Sequence, residues 1–131
     1  MTGFLADTSV FVAQEQGRRL VNRPEGEVRV SVATLTELEV GARRSQDADV
    51  RAQRERTLSE ARRFVPLVYD EAVGVELAKL LAAARDQRRC AGAMDAIIAA
   101  TALVHDLFVW TQDDDFDVLQ ELAPQLRVHR S

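Results

Sequence analysis

The stretch that decides the fold is Phe4-Leu5-Ala6-Asp7-Thr8-Ser9-Val10. Its first three residues are apolar and predict a short buried strand, and the polar residues that follow are typical of a helix start. Apolar residues then recur at helical spacing to about residue 19. A strand that ends on a carboxylate and passes directly into a helix indicates an α/β unit.

The rest of the chain repeats this alternation. Thr34-Leu35-Thr36-Glu37 matches the capping-box pattern of a helix start, and we expect Gly41 to close or kink that helix. Residues 93–105 are apolar nearly all round and predict a buried helix. The pattern favours an α/β sandwich with a largely parallel sheet, in one domain over residues 1–131. Further strands are predicted at 28–32, 65–68, 107–110 and 126–129, and further helices at 47–64, 70–85 and 116–122.

Composition is that of a folded globule, with 47% hydrophobic and 29% charged residues in 131. The single cysteine, Cys90, excludes an intrachain disulfide, which favours a reducing compartment. We expect it to be a small buried or half-buried side chain. The longest apolar stretch, 96–104, is far shorter than the ~20 residues that span a bilayer. Residues 1–4 lack the basic start of a signal peptide, so we expect a cytoplasmic protein.

The formal net charge is −4, yet all 17 basic residues except Lys79 are arginines. Arginine is well suited to bidentate phosphate contacts. Four arginine doublets are therefore candidates for RNA contact, although an arginine-rich coding bias with solvated helix faces explains them equally well. These doublets are Arg18-Arg19, Arg43-Arg44, Arg62-Arg63 and Arg88-Arg89.

Carboxylates follow several predicted strands. Asp7 comes directly after the first strand, Glu37 lies a few residues past the second, and Asp113 and Asp115 follow the fourth. Ligands of open parallel sheets bind at the carboxyl ends of the strands, so we expect these side chains to converge. In an extended loop alternate residues point the same way, which favours Asp113 and Asp115 over the residue between them.

Asp95 stands at the head of the buried helix, where a charged residue needs a partner. The simpler alternative is that Asp95 and Asp7 only cap their helices. Four or five converging carboxylates would, however, repel one another without a cation, and no basic residue lies within five positions of either aspartate. A bound Mg²⁺ or Mn²⁺ would supply the charge, since hard divalent ions prefer oxygen ligands.

Four stretches together resemble the PIN-domain nucleases, specifically the VapC-type toxins of bacterial toxin–antitoxin pairs. The resemblance spans essentially the whole chain and implies a PIN-like α/β/α sandwich with a short, mainly parallel central sheet. The stretches are 5–10 (LADTSV), 36–41 (TELEVG), 95–102 (DAIIAATA) and 111–116 (TQDDDF).

The resemblance implies an Mg²⁺- or Mn²⁺-dependent endoribonuclease that cleaves structured RNA, such as tRNA or rRNA, and leaves 5′-phosphate and 3′-hydroxyl ends. It also implies an antitoxin partner, with a homodimer or a toxin–antitoxin hetero-oligomer. A hypothesis for the antitoxin groove is the space between the first two helices. The implied catalytic residues are Asp7, Glu37, Asp95, Asp113 and Asp115, of which all but Glu37 are implied metal ligands, with Ser9 and Thr111 in support.

Two other functions stay open. A phospho-acceptor signalling domain also places an aspartate at a strand end, but it needs a second early acid and a late lysine, whereas Lys79 lies mid-helix. A PIN-fold module that has lost catalysis and only binds protein would keep the same fold. Neither His105 nor His129 is expected to be catalytic, and Trp110 is expected to lie in the core.

Overall fold

A computed structural model describes residues 2–131. Met1, which belongs to the N-terminal segment that lacks the basic start of a signal peptide, lies outside the described residues. Within this part of the chain, five strands form one sheet and six helices flank it. The strands are β1 (Gly3–Ala6), β2 (Glu27–Ser31), β3 (Val65–Leu67), β4 (Phe108–Thr111) and β5 (Val128–Arg130). The helices are α1 (Thr8–Glu15), α2 (Val32–Arg44), α3 (Ala48–Ala61), α4 (Glu71–Asp86), α5 (Ala93–His105) and α6 (Asp117–Leu122).

The sheet order is β3-β2-β1-β4-β5, and every neighbouring pair is parallel. This confirms the predicted α/β sandwich and its parallel sheet. The chain builds outward from β1 to β3 and then returns to the other side of β1 as β4. The strand order therefore reverses between β1 and β4, which is where parallel sheets of this kind bind ligands.

Two apolar cores cover the two faces of the sheet. Successive strand residues point to opposite faces, so Leu5 packs into the core that contains α4, α5 and α6, while Phe4 and Ala6 pack into the core that contains α1 and α3. Trp110 joins the second core and is buried, as predicted. Helix α5, predicted from its apolar composition, is buried along most of its length and contributes Ile98 to the first core.

The capping-box prediction is wrong. Ser31, the last residue of β2, caps α2 by accepting a hydrogen bond from the Ala33 backbone nitrogen (3.0 Å). The helix starts at Val32 because the strand runs into it without a loop. Thr34 is consequently a fully buried residue of the first turn rather than the cap.

Gly41 does not close its helix, since α2 continues to Arg44. A β-carbon built on Gly41 would have no atom within 4 Å in the described structure. The Gly41 carbonyl accepts a hydrogen bond from Arg54 Nη1 on α3 (2.9 Å).

Pro66 lies in β3, the outer strand on one side of the sheet, where a residue without a backbone donor is tolerated. Cys90, expected to be at least half-buried, is exposed, because it belongs to the connection between α4 and α5 rather than to a packed element. Among residues 2–131, none of the helices is long and apolar enough to cross a membrane.

We predict that Gly41→Ala stabilises the protein. Alanine in a helix interior is favoured over glycine by roughly 0.5–1 kcal/mol, and the added methyl group meets open space. The melting temperature should rise by about 2–5 °C, measured by thermal unfolding followed by circular dichroism. An unchanged or lower melting temperature would contradict the packing described for this position.

Candidate active site

Asp7 lies at the junction of β1 and α1, at the point where the strand order reverses. Its side chain is only 3% exposed. The Oδ2 atom accepts hydrogen bonds from the hydroxyls of Ser9 (2.8 Å) and Thr111 (3.1 Å). The Ser9 backbone nitrogen also donates weakly to Oδ2 at 3.4 Å, so Asp7 does cap α1, as the simpler alternative held. Capping and membership of an acidic site are therefore compatible at this residue.

The same hydroxyls tie the ends of β1 and β4 together. Ser9 Oγ and Thr111 Oγ1 are 3.1 Å apart, and Ser9 Oγ accepts a hydrogen bond from the Gln112 backbone nitrogen (2.9 Å). The Asp7 backbone nitrogen donates to the Trp110 carbonyl (2.8 Å). The two residues predicted to support the site thus fix the position of the Asp7 carboxylate relative to the sheet.

Glu37 reaches the site from α2. Its Oε1 atom accepts a short hydrogen bond from the Thr8 hydroxyl (2.6 Å). Thr8 is a contact that the sequence reading missed, because the two residues are separated by 29 positions and no spacing rule links them.

Asp95 lies in the first turn of α5 but does not cap it. The N-cap is Gly92, which makes no side-chain capping bond. The Asp95 carboxylate instead lies close to those of Asp7 and Glu37, and one carboxylate oxygen from each residue lies within 4.8 Å of the other two. Asp95 is half-buried.

The loop after β4 adds two more carboxylates to this place. Thr111 Oγ1 is 3.2 Å from Asp113 Oδ1, and the Asp115 backbone nitrogen is 3.4 Å from the same oxygen. Asp113 and Asp115 both line the cavity that holds the other acids. Asp114 lies apart and pairs with Arg130 (3.1 Å). The loop therefore presents its alternate residues to the site.

The cavity at this edge of the sheet has a volume of about 280 Å³. One basic residue, Arg18, lines it, although Arg18 follows the whole of α1 and is far from Asp7 and Asp95 in sequence. Gly17 has a left-handed backbone (φ 71°), and the Arg18 nitrogen donates to the Ala13 carbonyl (2.9 Å). This turn at the end of α1 carries Arg18 back to the acids. The lining residues are Asp7, Thr8, Ser9, Val12, Arg18, Glu37, Asp95, Asp113 and Asp115.

Burial and mutual repulsion both act on the acids. Burial, followed by repulsion from Asp7, Asp115, Glu37 and Asp113, raises the pKa of Asp95 to about 7. Burial also raises the pKa of Asp7, although the hydroxyls of Ser9 and Thr111 oppose the shift. A site with this excess of negative charge favours a cation.

The chain matches the PIN-domain family model over residues 4–122. It is 39% identical to ribonuclease VapC4 of Mycobacterium tuberculosis over 119 residues, which cover 90% of this chain and 92% of that protein. It is 42% identical to ribonuclease VapC8 of the same species over 100 residues, which cover 75% and 88%. The crystal structure of VapBC-5 from M. tuberculosis, a member of the VapBC family of toxin–antitoxin systems, superposes with a TM-score of 0.84, 33% identity and full coverage of both chains.

The chain therefore belongs to the PIN-domain family of nucleases. Within that family, its relatives named here are VapC ribonucleases, in agreement with the resemblance found from the sequence motifs.

We predict that Asp95→Asn stabilises the metal-free protein at neutral pH. Folding raises the pKa of Asp95 from 3.8 to about 7, so between these values the folded state binds more protons than the unfolded chain. The contribution of Asp95 to stability is therefore present at low pH and is lost as the pH rises through this window. In EDTA, the melting temperature of the variant relative to wild type should increase between pH 4 and pH 8.

Each kcal/mol of relieved repulsion corresponds to roughly 3–6 °C in a domain of this size. Asp114→Asn, which removes a carboxylate outside the cavity, is the matched control and should show no such pH-dependent gain. Equal melting curves for wild type and Asp95→Asn across this pH range would contradict the strain described for this carboxylate.

Proposed function

We propose that this chain is a divalent-metal-dependent endoribonuclease, acting on structured RNA such as tRNA or rRNA, and the toxin of a toxin–antitoxin pair. The observation that carries the proposal is the convergence of the Asp7, Glu37 and Asp95 carboxylates at the switch point of the sheet. The similarity to VapC ribonucleases supports the substrate class. In this proposal residues 1–131 act as one nuclease domain in the cytoplasm.

The donor set fits a hard divalent cation. Each of the three acids offers an oxygen within 4.8 Å of the others, and burial together with repulsion from the neighbouring carboxylates raises the pKa of Asp95, which favours a bound cation. Asp7 and Asp95 would be the principal ligands, and Asp113 or Asp115 would bind directly or through water. Mg²⁺ and Mn²⁺ both suit a site of carboxylates and waters.

The proposed reaction is hydrolysis of an RNA phosphodiester. A divalent cation at this site would lower the pKa of a bound water and offset charge on the phosphoryl oxygens. The water oxygen attacks phosphorus, the bond to the 3′-oxygen breaks, and that oxygen leaves as a 3′-hydroxyl after gaining a proton. In this proposal Glu37 is a metal ligand or the general base that accepts the water proton, and the Thr8 hydroxyl holds its Oε1 atom (2.6 Å). The products carry 5′-phosphate and 3′-hydroxyl ends.

We predict that Asp7→Asn and Asp95→Asn each lower cleavage of a total tRNA and rRNA pool by roughly 100-fold or more. The magnitude follows because even residues that only orient a metal ligand contribute about 10- to 100-fold. Wild type should cleave with Mg²⁺ or Mn²⁺ and lose activity in EDTA.

Asp114→Asn is the control, because its carboxylate pairs with Arg130 outside the cavity, and it should keep activity within about twofold. Cleavage that persists in EDTA, or in both site variants, would contradict metal catalysis. A wild-type protein that cleaves no RNA with either metal would favour the inactive protein-binding module.

The remaining alternative, a phospho-acceptor domain, is disfavoured by the position of Lys79. This lysine is exposed on α4 and pairs with Glu76 (3.2 Å), and it does not line the acidic cavity. The basic residue that does line the cavity is Arg18, not a lysine.

We further propose an antitoxin partner. The similar M. tuberculosis structure comes from a VapBC toxin–antitoxin system. A cavity lined by five carboxylates and one arginine is complementary to a basic side chain, so an antitoxin arginine inserted there would neutralise the acids and exclude the metal. The assembly would be a homodimer or a toxin–antitoxin hetero-oligomer.

A further inference from the structure

A second cavity adjoins the acidic site between α1, α2 and α3. Its volume is about 240 Å³. Three residues, Thr8, Val12 and Glu37, line both cavities. A group bound in the second cavity would therefore lie next to the phosphodiester bound at the acidic site. Its other lining residues are Glu15, Gln16, Leu38, Gly41 and Arg54.

Gly41 and Arg54 give this cavity its shape. A β-carbon on Gly41 would meet open space, so the absence of a side chain keeps the cavity clear. Arg54 is half-buried, and its Nη1 atom donates to the Gly41 carbonyl (2.9 Å), which holds the guanidinium against α2. In the part of the chain that the structure describes, Arg54 forms no ion pair with a carboxylate, unlike Arg51 of the same helix, which pairs with Glu55.

The charges of the cavity disfavour a phosphate. Glu15 and Glu37 contribute two carboxylates against the single guanidinium of Arg54. Glu15 is held in place, because its Oε1 atom accepts a hydrogen bond from Thr57 (2.8 Å) and its carbonyl accepts one from Gln53 (2.9 Å). An uncharged group that donates hydrogen bonds to a carboxylate suits this lining better than an anion does.

We propose that this cavity binds the nucleobase next to the cleaved phosphodiester. The proposal rests on the ribonuclease function proposed above. A cavity of about 240 Å³ has room for one planar ring system. Val12 and Leu38 offer apolar surface, and the guanidinium of Arg54 offers a planar face on which an unstacked base can lie. The Glu15 carboxylate accepts hydrogen bonds from a base amino group, which favours adenine, cytosine or guanine over uracil.

The test is cleavage of RNA oligonucleotides with a randomised central segment, in Mg²⁺ or Mn²⁺, followed by sequencing of the product ends. Wild type should prefer an amino-bearing base at one position beside the cut. Arg54→Ala and Gly41→Leu should flatten that preference and lower kcat/KM by roughly 5- to 100-fold, mainly through KM, as expected for loss of one stacked base. Glu15→Gln should shift the preference toward uracil.

Three further variants separate base binding from a general attraction between positive charge and RNA and from effects on folding. Arg54→Lys keeps the positive charge but lacks the planar guanidinium, so its base preference should be as weak as that of Arg54→Ala. Arg51→Ala on α3 and Val40→Leu on α2 lie outside the cavity lining and should keep both the preference and kcat/KM. Melting curves of all variants check folding, and Arg54→Ala carries the test if Gly41→Leu proves unstable.

The outcomes are distinguishable. If wild type cleaves RNA and Arg54→Ala and Gly41→Leu show the same base preference as wild type, the base subsite is wrong and the proposed ribonuclease function is unaffected. Loss of antitoxin binding in these variants with an unchanged cleavage profile would assign the cavity to the antitoxin, the occupant that the sequence suggested for this groove. If Arg54→Lys showed the same base preference as wild type, Arg54 would act only through its positive charge, and the proposal that a base stacks on its guanidinium would be wrong. Absence of any cleavage by wild type would overturn the ribonuclease function itself.

Discussion

A nearly buried carboxylate at the end of the central strand is the constraint on which the rest of the site depends. Asp7 leaves bulk water on folding, and hydroxyl donors from Ser9 and Thr111 replace part of its hydration. Both donors also connect β1 to β4, so the hydrogen bonds that oppose the burial-induced rise in the pKa of Asp7 also hold the sheet together at its switch point. The same hydrogen bonds therefore fix the position of Asp7 in the acidic site and stabilise the centre of the sheet.

The other acids come to Asp7 from elements that the parallel topology brings to one edge. Glu37 comes from the second turn of α2, Asp95 from the first turn of α5, and Asp113 from the loop after β4. Glu37 and Asp95 belong to helices that pack on the sheet, so neither carboxylate can move far from Asp7 without disturbing a packed helix. Burial and the repulsion from the neighbouring carboxylates, which together raise the pKa of Asp95, are thus built into the fold.

The sequence was sufficient for the features that follow from local pattern. The apolar run before Asp7 and the apolar composition around Asp95 predicted a strand end and a buried helix, and both are present. The start of α2 was not decidable in this way, because Ser31 and Thr34 are both good caps and only the pairing of Ser31 with Leu67 keeps the strand running to Ser31.

Contacts between residues far apart in sequence could not be predicted either, because they depend on tertiary packing and not on local pattern. The Thr8–Glu37 bond depends on how α2 packs beside α1. Arg18 reaches the acids through a left-handed turn at Gly17 that follows a whole helix.

The edges of the sheet have a consequence for association between copies of this chain. Both outer strands are only three residues long, and β3 includes a proline, which lacks a backbone donor. Short edges with few free backbone groups resist addition of a further strand and the aggregation that follows from it. The edge strands therefore favour recognition through side chains on helices and loops over the extension of one sheet into the next.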